Sequence, residues 1–489
     1  MPDDPRAELA ALGYRQELRR GMSAFGSFAI SFSVISILTG GVSLYGYGLQ
    51  LGGPLQMTLG WPVVAAMTTL VALSLAELAS AYPTAGAIYH WSAILGGRRV
   101  GFYAAWLNLV GQVGVVAGVD YALADFVRAL LHLPNQRAVV LGLYAIALLG
   151  HGAINHVGLS ALGVLNNLSA AWHVVGTAIV VGLLLLLAPH RPLSFLLEAR
   201  SFPVEGVTYP LLYAGLVGML QAQWTFTGYD ASAHASEETI DAARAAPRGM
   251  LSAVLSSAVV GWVLLLALTL SIHDLPGAAG ADNAFSYVVE AALGPGLARV
   301  VMGVVIAAMW FCGLAAVTSN SRMLFALARD GGVPAATHVG RVGARFQTPH
   351  VAIWSCVVVA FLLALWGRAY SVIVAISTIG LYGSYALPIW ASERAWRRGW
   401  RPTGPFRLRR SRLVARVALA WIGIITVLFV LPPNQRTGYT FAALLAVLVV
   451  LDLAWARRRF RGPPLAAADA ARLQSTGAVA TSPRPEARP

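Results

Sequence analysis

His173 lies within Ser169-Ala-Ala-Trp-His-Val-Val-Gly176, far from either end of an apolar run covering 161–188. An ionisable side chain at such depth is costly and marks a functional site by default. An imidazole can take up a proton near neutral pH, so His173 is a candidate proton-coupling residue. The competing role is a neutral histidine giving one hydrogen bond between helices. Asp230, His234, Glu237 and Glu238 form a second set. His-x-x-Glu has metal-ligand spacing, but no second ligand set stands elsewhere, so neither metal nor cofactor is expected. Gating chemistry suits this set better. Asp230 would cap a helix restarting after Gly228 or join a gate, and Glu237 and Glu238 would meet Arg244 and Arg248. Plain solvated charge is the alternative. Thr318 and Ser319 could offer hydroxyl oxygens to sodium, although helical Ser and Thr usually bond back to their own backbone. Asn108 and Gln112, spaced i,i+4, share one helix face. Buried amides need partners, either a substrate or a neighbouring helix. Gly114-Val-Val-Ala-Gly118 beside them reads as a packing face of small residues.

These residues sit on elements of one kind. Of 489 residues, 57% are hydrophobic and 11% charged, where soluble domains carry about a quarter of their residues as charges. Apolar runs fall at about 22–47, 60–80, 101–131, 138–158, 161–188, 209–240, 249–272, 297–327, 350–367, 370–390, 413–431 and 437–456. Each is near the roughly 20 residues that cross a bilayer, and backbone in lipid must pair within its own segment. The expected fold class is therefore all-α integral membrane with twelve transmembrane helices. Residues 1–21 precede the first helix, and residues 457–489, rich in Ala, Pro and Arg, read as a disordered tail.

The net charge of +14 comes from arginine alone, for the chain has no lysine. Alternating the runs from a cytoplasmic N-terminus puts 28 arginines inside and 7 outside, the outer ones including Arg128, Arg191 and Arg368. Basic charge beside spans sets topology, so both termini are expected in the cytoplasm of a cell (plasma or inner) membrane. Nucleic-acid binding is not expected. Cys312 and Cys356 lie in apolar runs and support no disulfide framework. A membrane enzyme would need titratable residues clustered toward one leaflet and a channel a continuous polar stripe. Neither pattern is present, whereas a sensory role would be told apart by the absence of solute movement.

Two runs are interrupted. The first reads Ser31-Phe-Ser-Val-Ile-Ser-Ile-Leu-Thr-Gly-Gly41 and the sixth Gln221-Ala-Gln-Trp-Thr-Phe-Thr-Gly-Tyr-Asp230. They are five spans apart, the equivalent positions of two five-helix repeats. Matched broken helices point to a transporter's central site. Unwound backbone frees N–H and C=O groups, and half-helix ends carry partial charge. Together they can hold a carboxylate and an ammonium without charged side chains. Close packing through Gly and Ser is the competing explanation.

Glu77-Leu-Ala-Ser-Ala-Tyr-Pro-Thr-Ala-Gly-Ala-Ile-Tyr-His-Trp91 resembles a signature of the amino acid–polyamine–organocation transporter superfamily. So do Trp224-Thr-Phe-Thr-Gly-Tyr-Asp-Ala231 with Glu237-Glu238 and Ala246-Pro-Arg248, and Ser321 to Pro334. Trp106-Leu-Asn-Leu-Val-Gly-Gln112 and Asn166-Asn167 look most like its amino acid/choline transporter branch. The resemblance covers about residues 20–456. It implies a leucine-transporter-type fold, with inverted repeats at 22–188 and 209–390 and two further helices within 413–456. It also implies secondary transport of an amino acid or related small amine by alternating access, as proton symport, as exchange or as choline-type import. By the same resemblance Ser36, Ile37, Leu38, Thr39, Gly40 and Gly41 would meet the substrate carboxylate. Thr225, Phe226, Thr227 and Gly228 would meet its ammonium, with Trp224 as an aromatic gate. His173, counted from Asn155, falls where many members carry a coupling lysine. Relatives often carry Gly-Ser-Gly where this chain has Thr39-Gly40-Gly41, a departure that loosens the register of the first break.

Overall fold

The computed structural model describes residues 9–10, 12–366 and 370–464. The expected disordered tail and the placement of Arg368 therefore lie outside the described residues. Among those described, structure is helical throughout, with two isolated backbone bridges and no strand. Ten helices are long and apolar enough to cross a membrane. Helix 9 is shorter (His350–Trp366), and helix 6 fails the length criterion because it is broken into Leu211–Gly218, Leu220–Thr225 and Ala231–His234.

Helix 1 runs as Ala24–Ile35, Gly40–Ser43 and Tyr45–Gly52. Ser23 caps its start by accepting from the Gly26 N–H at 3.1 Å, the usual role of a hydroxyl there. Helix 2 is a π turn at Gln56–Gly60 continuing into Trp61–Ala81, and Ile88–Gly96 connects it to helix 3, Arg98–Leu130. Helices 4, 5 and 7 are Arg137–Val157, Leu159–Leu187 and Ala242–Leu270. Helix 8 belongs to Ala284–Arg329, which kinks at Gly294 (φ 75°) just before Pro295. Helices 10, 11 and 12 are Tyr370–Arg397, Ser411–Leu428 and Gln435–Leu451, the last extended to Arg459. Helix 3, with 33 residues, is about 50 Å long, so it must tilt to fit a hydrocarbon core of roughly 30 Å.

Helices 1, 3, 8 and 10 form the interior; 89% of the helix 1 window is buried, against 17% for helix 12 at the periphery. Helix 2 packs on 7, 3 on 8 and 4 on 9. Helix 3 also packs on 10 and helix 8 on 5; helix 1 meets 7 and 5, and helix 6 meets 2 and 10. The two ends of the described chain share one face, where Gly13 lies against Pro464. We call this the terminal face. There residues 12–22 form a strap: the N–H groups of Gly21 and Met22 donate to the Glu238 carbonyl at 2.9 and 2.8 Å.

Candidate functional site

Helix 1 stops at Ile35 because Ser36 takes a left-handed conformation (φ 35°), uncommon for a residue with a Cβ. The Ser36 carbonyl then accepts from the N–H groups of Thr39 and Gly40 at 2.8 and 2.9 Å, and helix resumes at Gly40. The Ser36 hydroxyl lies 2.6 Å from Thr39 Oγ1 and 2.7 Å from His173 Nε2. His173 Nδ1 faces the Ser169 carbonyl at 2.8 Å. A carbonyl only accepts, so the ring proton sits on Nδ1 and Nε2 accepts from Ser36. His173 thus ties helix 5 to the break in helix 1.

Helix 6 unwinds over Phe226–Asp230, with Gly228 at φ 78°. The Tyr382 hydroxyl donates to the Phe226 carbonyl at 2.6 Å, and the Gly228 N–H donates to the Tyr385 hydroxyl at 3.3 Å. The two breaks abut. A Cβ on Gly40 would lie 2.8 Å from Thr225 Cα, and one on Gly228 would overlap Val34. Only glycine allows this approach.

Between the breaks lies a small cavity lined by Val34, Ile35, Thr39, Gly40, Val115, Val119, Trp224, Thr225, Thr227 and Cys312. It has room for about one water, so the arrangement is closed. Thr39, Gly40, Trp224, Thr225 and Thr227 face this space. Ser36, Ile37, Leu38, Gly41, Phe226 and Gly228 belong to the break regions without lining it. Trp224 Nε1 donates to Ser377 Oγ at 3.2 Å, on the side away from the terminal face.

Several residues sit elsewhere than their spacing suggested. Asn108 and Gln112 do not line the cavity; Val115 and Val119, one and two turns further along helix 3, do. Asn108 Nδ2 donates instead to Asp230 Oδ2 and Ser384 Oγ, both at 3.1 Å, and Gln112 Nε2 donates to Asn108 Oδ1 at 2.6 Å. Asp230 stands at the N-cap position without a side-chain capping bond. It accepts from Tyr385 OH at 2.7 Å and faces His234 Nε2 at 3.2 Å. Glu237 pairs with Arg329 at 2.8 Å and Glu238 with Arg322 at 3.0 Å, not with Arg244 and Arg248. Arg244 pairs with the exposed Asp241. The Thr318 hydroxyl lies 2.9 Å from the Leu314 carbonyl and 2.8 Å from Asn155 Oδ1, which also accepts from Arg322 at 3.2 Å. A guanidinium one bond away makes this a poor cation seat. The helix 8 side chain that reaches the first break is Cys312, its Sγ 3.3 Å from the Val34 carbonyl.

Sequence reasoning missed Val34, Ile35, Val115, Val119 and Cys312 as lining residues, and the pairing of the two arginines with the glutamates. Arg322 and Arg329 do carry a signal: seven residues apart, they share one helix face, two turns apart, and could match two adjacent glutamates. Val115, Val119 and Cys312 carry none. No group of three metal-binding side chains occurs among the described residues.

At the terminal face the Tyr14 hydroxyl donates to Asp330 at 2.7 Å and meets His90 Nε2 at 2.9 Å, and the Arg329 guanidinium lies 4.0 Å from the Tyr14 ring centre. Burial pushes the Asp330 carboxyl up, but the bonds from His90 and Tyr14 and the charge of Arg329 outweigh it and hold it below the usual carboxylate value. Burial and the Asp330 charge push Tyr14 up, so its phenol stays protonated and donates.

The model of one family, amino acid permease, matches residues 22–451. The amino-acid permease BAT1 homolog of Oryza sativa is 36% identical, covering 94% of this chain and 96% of its own length. The amino-acid permease BAT1 of Arabidopsis thaliana is 35% identical over the same shares. The GABA-specific permease of Saccharomyces cerevisiae is 27% identical over 88% of this chain and 79% of its own. The match spans both breaks, the cavity and the ion pairs beneath it. The chain belongs to the amino acid permease family and is a multi-pass membrane transporter, not an enzyme.

Proposed function

We propose that this protein carries a zwitterionic amino acid or a small related amine across the cytoplasmic membrane by alternating access, driven by proton symport. The observation that carries the reading is the meeting of two matched breaks at one cavity, with Gly40 against Thr225. Half-helix ends and freed backbone groups there can bind a carboxylate and an ammonium. No charged side chain lines the cavity, which favours a substrate whose own charges balance. The helix pairings support two five-helix repeats at 22–188 and 209–390. Raising or lowering each number by five turns the pairs 1–7 and 1–5 into 6–2 and 6–10, and 3–10 into 8–5. The arginine split makes the terminal face the cytoplasmic one.

His173 is our residue for coupling. Protonating Nε2 would remove the acceptor that holds Ser36, which links a proton to the shape of the helix 1 break. Thr318 and Ser319 remain the sodium alternative, disfavoured because the Asn155 oxygen that meets Thr318 also accepts from Arg322. A second transport mode, exchange of an amino acid for an amine, uses the same cavity.

Purified protein in liposomes, offered a panel of α- and ω-amino acids, amines and choline, tests the reading. Under separate proton and sodium gradients, accumulation of one amino acid on the proton gradient is expected. Uptake requiring an unlike counter-substrate would replace symport by exchange. Movement of no solute would remove the transport reading.

A further inference from the structure

Three histidines each face an aspartate in buried surroundings: His90 with Asp330, His234 with Asp230, and His151 with Asp120. In the first two pairs the aspartate has further partners: Asp330 Oδ2 is met by Tyr14, Tyr89 and His90, and the two oxygens of Asp230 by Tyr385, Asn108 and His234. The third is different. His151 Nδ1 lies 3.1 Å from Asp120 Oδ2, both side chains are fully buried, and Asp120 Oδ1 and His151 Nε2 have no hydrogen-bond partner among the described residues. A buried carboxylate oxygen and a buried ring nitrogen left without a protein partner beside one another are costly to retain for packing alone.

Their position adds the second argument. Asp120 follows Val119 on helix 3, and the open oxygen points at Gly313 on helix 8, where a Cβ would overlap it and lie 2.6 Å from His151 Cε1. Gly313 follows Cys312. Asp120 thus follows a lining residue on helix 3, and the pair abuts the residue that follows a lining residue on helix 8. Other groups around it leave it electrically alone. Helix 4 adds Tyr144, whose hydroxyl is committed to the Ala360 carbonyl at 2.8 Å. Helix 8 adds the Cys312 thiol and the Trp310 ring, 5.2 Å from His151. Helix 10 presents Ile373 and Val374 beside Gly118. Helix 9 has no aspartate, glutamate or arginine in His350–Trp366, and Arg322 further along helix 8 is paired with Glu238.

We propose that Asp120 and His151 form one proton-binding site, which loads and releases the driving proton as helices 3 and 8 move around the cavity. This rests on the proton-symport reading above and adds a site to His173. With His151 neutral and donating through Nδ1, the pair carries one negative charge. One added proton, shared by carboxylate and imidazole, brings it to zero.

Uptake into liposomes under an inward proton gradient, compared with counterflow of labelled substrate at equal pH, tests the site. Asp120→Asn is expected to lose gradient-driven accumulation and keep counterflow. Accumulation that persists in Asp120→Asn and His151→Gln overturns the site and leaves proton symport standing. A wild-type protein that ignores the proton gradient overturns both. Loss of counterflow together with accumulation, in protein that elutes and melts as wild type, shows a structural role and also overturns it. Should Asp120→Asn fail to fold, His151→Gln carries the same transport prediction. The wild-type protein should then also gain an infrared carboxylic-acid band on acidification, with a midpoint moved in His151→Gln. An unmoved midpoint counts against the pair.

Discussion

Below the cavity, toward the terminal face, the inner part of helix 6 is held by buried ion pairs: Glu238 with Arg322 at 3.0 Å and Glu237 with Arg329 at 2.8 Å. The Asp330 cluster and the backbone bonds of the strap lie over them. Above the cavity the closure is made of hydrogen bonds and apolar contact, with no buried arginine–carboxylate pair among the described residues: Trp224 donates to Ser377, Gln221 donates to the Gly41 carbonyl at 3.3 Å, and Tyr45 meets Thr269 at 2.8 Å. Breaking one partner of a buried ion pair costs about 3–5 kcal/mol, while an ordinary hydrogen bond contributes about 1 kcal/mol. The terminal side is therefore held by stronger individual contacts than the other, and under the proposed alternating access it would be the harder side to open.

The comparison can be broken most directly at Arg322. Arg322→Ala leaves Glu238 buried and unpaired, and should lower stability by about 3–5 kcal/mol and abolish uptake. A variant with the wild-type melting temperature would refute that difference. Next in size is Gly40→Ala. Its methyl group meets the Thr225 backbone, which no rotamer change relieves, so overpacking of about 1–3 kcal/mol is expected, together with lost uptake. Retained uptake would mean the breaks need not touch. Ser377→Ala tests the other side. It should shift the balance toward the far-open form by about 1 kcal/mol, read as faster labelling of a cysteine placed at Val119, with little change in melting.

Acid tests the strap. Because the Asp330 carboxyl is depressed in the fold, its contribution is complete above the unfolded value of about 3.9 and is lost as pH falls through the lower folded value. Hydrogen-exchange protection of residues 12–22, corrected for intrinsic rates, should stay level from neutral pH down to about pH 4. Asp330→Asn should lower it throughout that range. The smallest effect is expected at Arg244→Ala, since both members of its pair with Asp241 are exposed. No change in melting or uptake should be measurable, as for most surface pairs.

The twelve spans and both interruptions were legible in the chain because lipid enforces long apolar runs, and Ser, Thr and Gly in mid-span violate the pattern locally. The first interruption was read at Ser36–Gly41, and the helix is unwound from Ser36 to Thr39. The second was read at Thr225–Gly228 and found at Phe226–Asp230, because Thr225 still closes the last outer turn. Depth along a helix was less legible. Asn108 and Gln112 lie on helix 3 one to two turns short of the cavity, since i,i+4 spacing gives a face but not a height.

Amino-acid order alone determined that this is a helical membrane protein with two matched weak points, because hydrophobic length and its interruptions are properties of each segment by itself. Only the tertiary structure decided what meets across segments. Glu238 and Glu237 find arginines 84 and 92 positions away and not the nearby Arg244 and Arg248. Asp120 finds His151 because Gly313 leaves room beside them. Buried charges take whichever partner the packing of neighbouring helices brings within about 3 Å, and that distance is set by the crossing of helices 3, 4, 6 and 8.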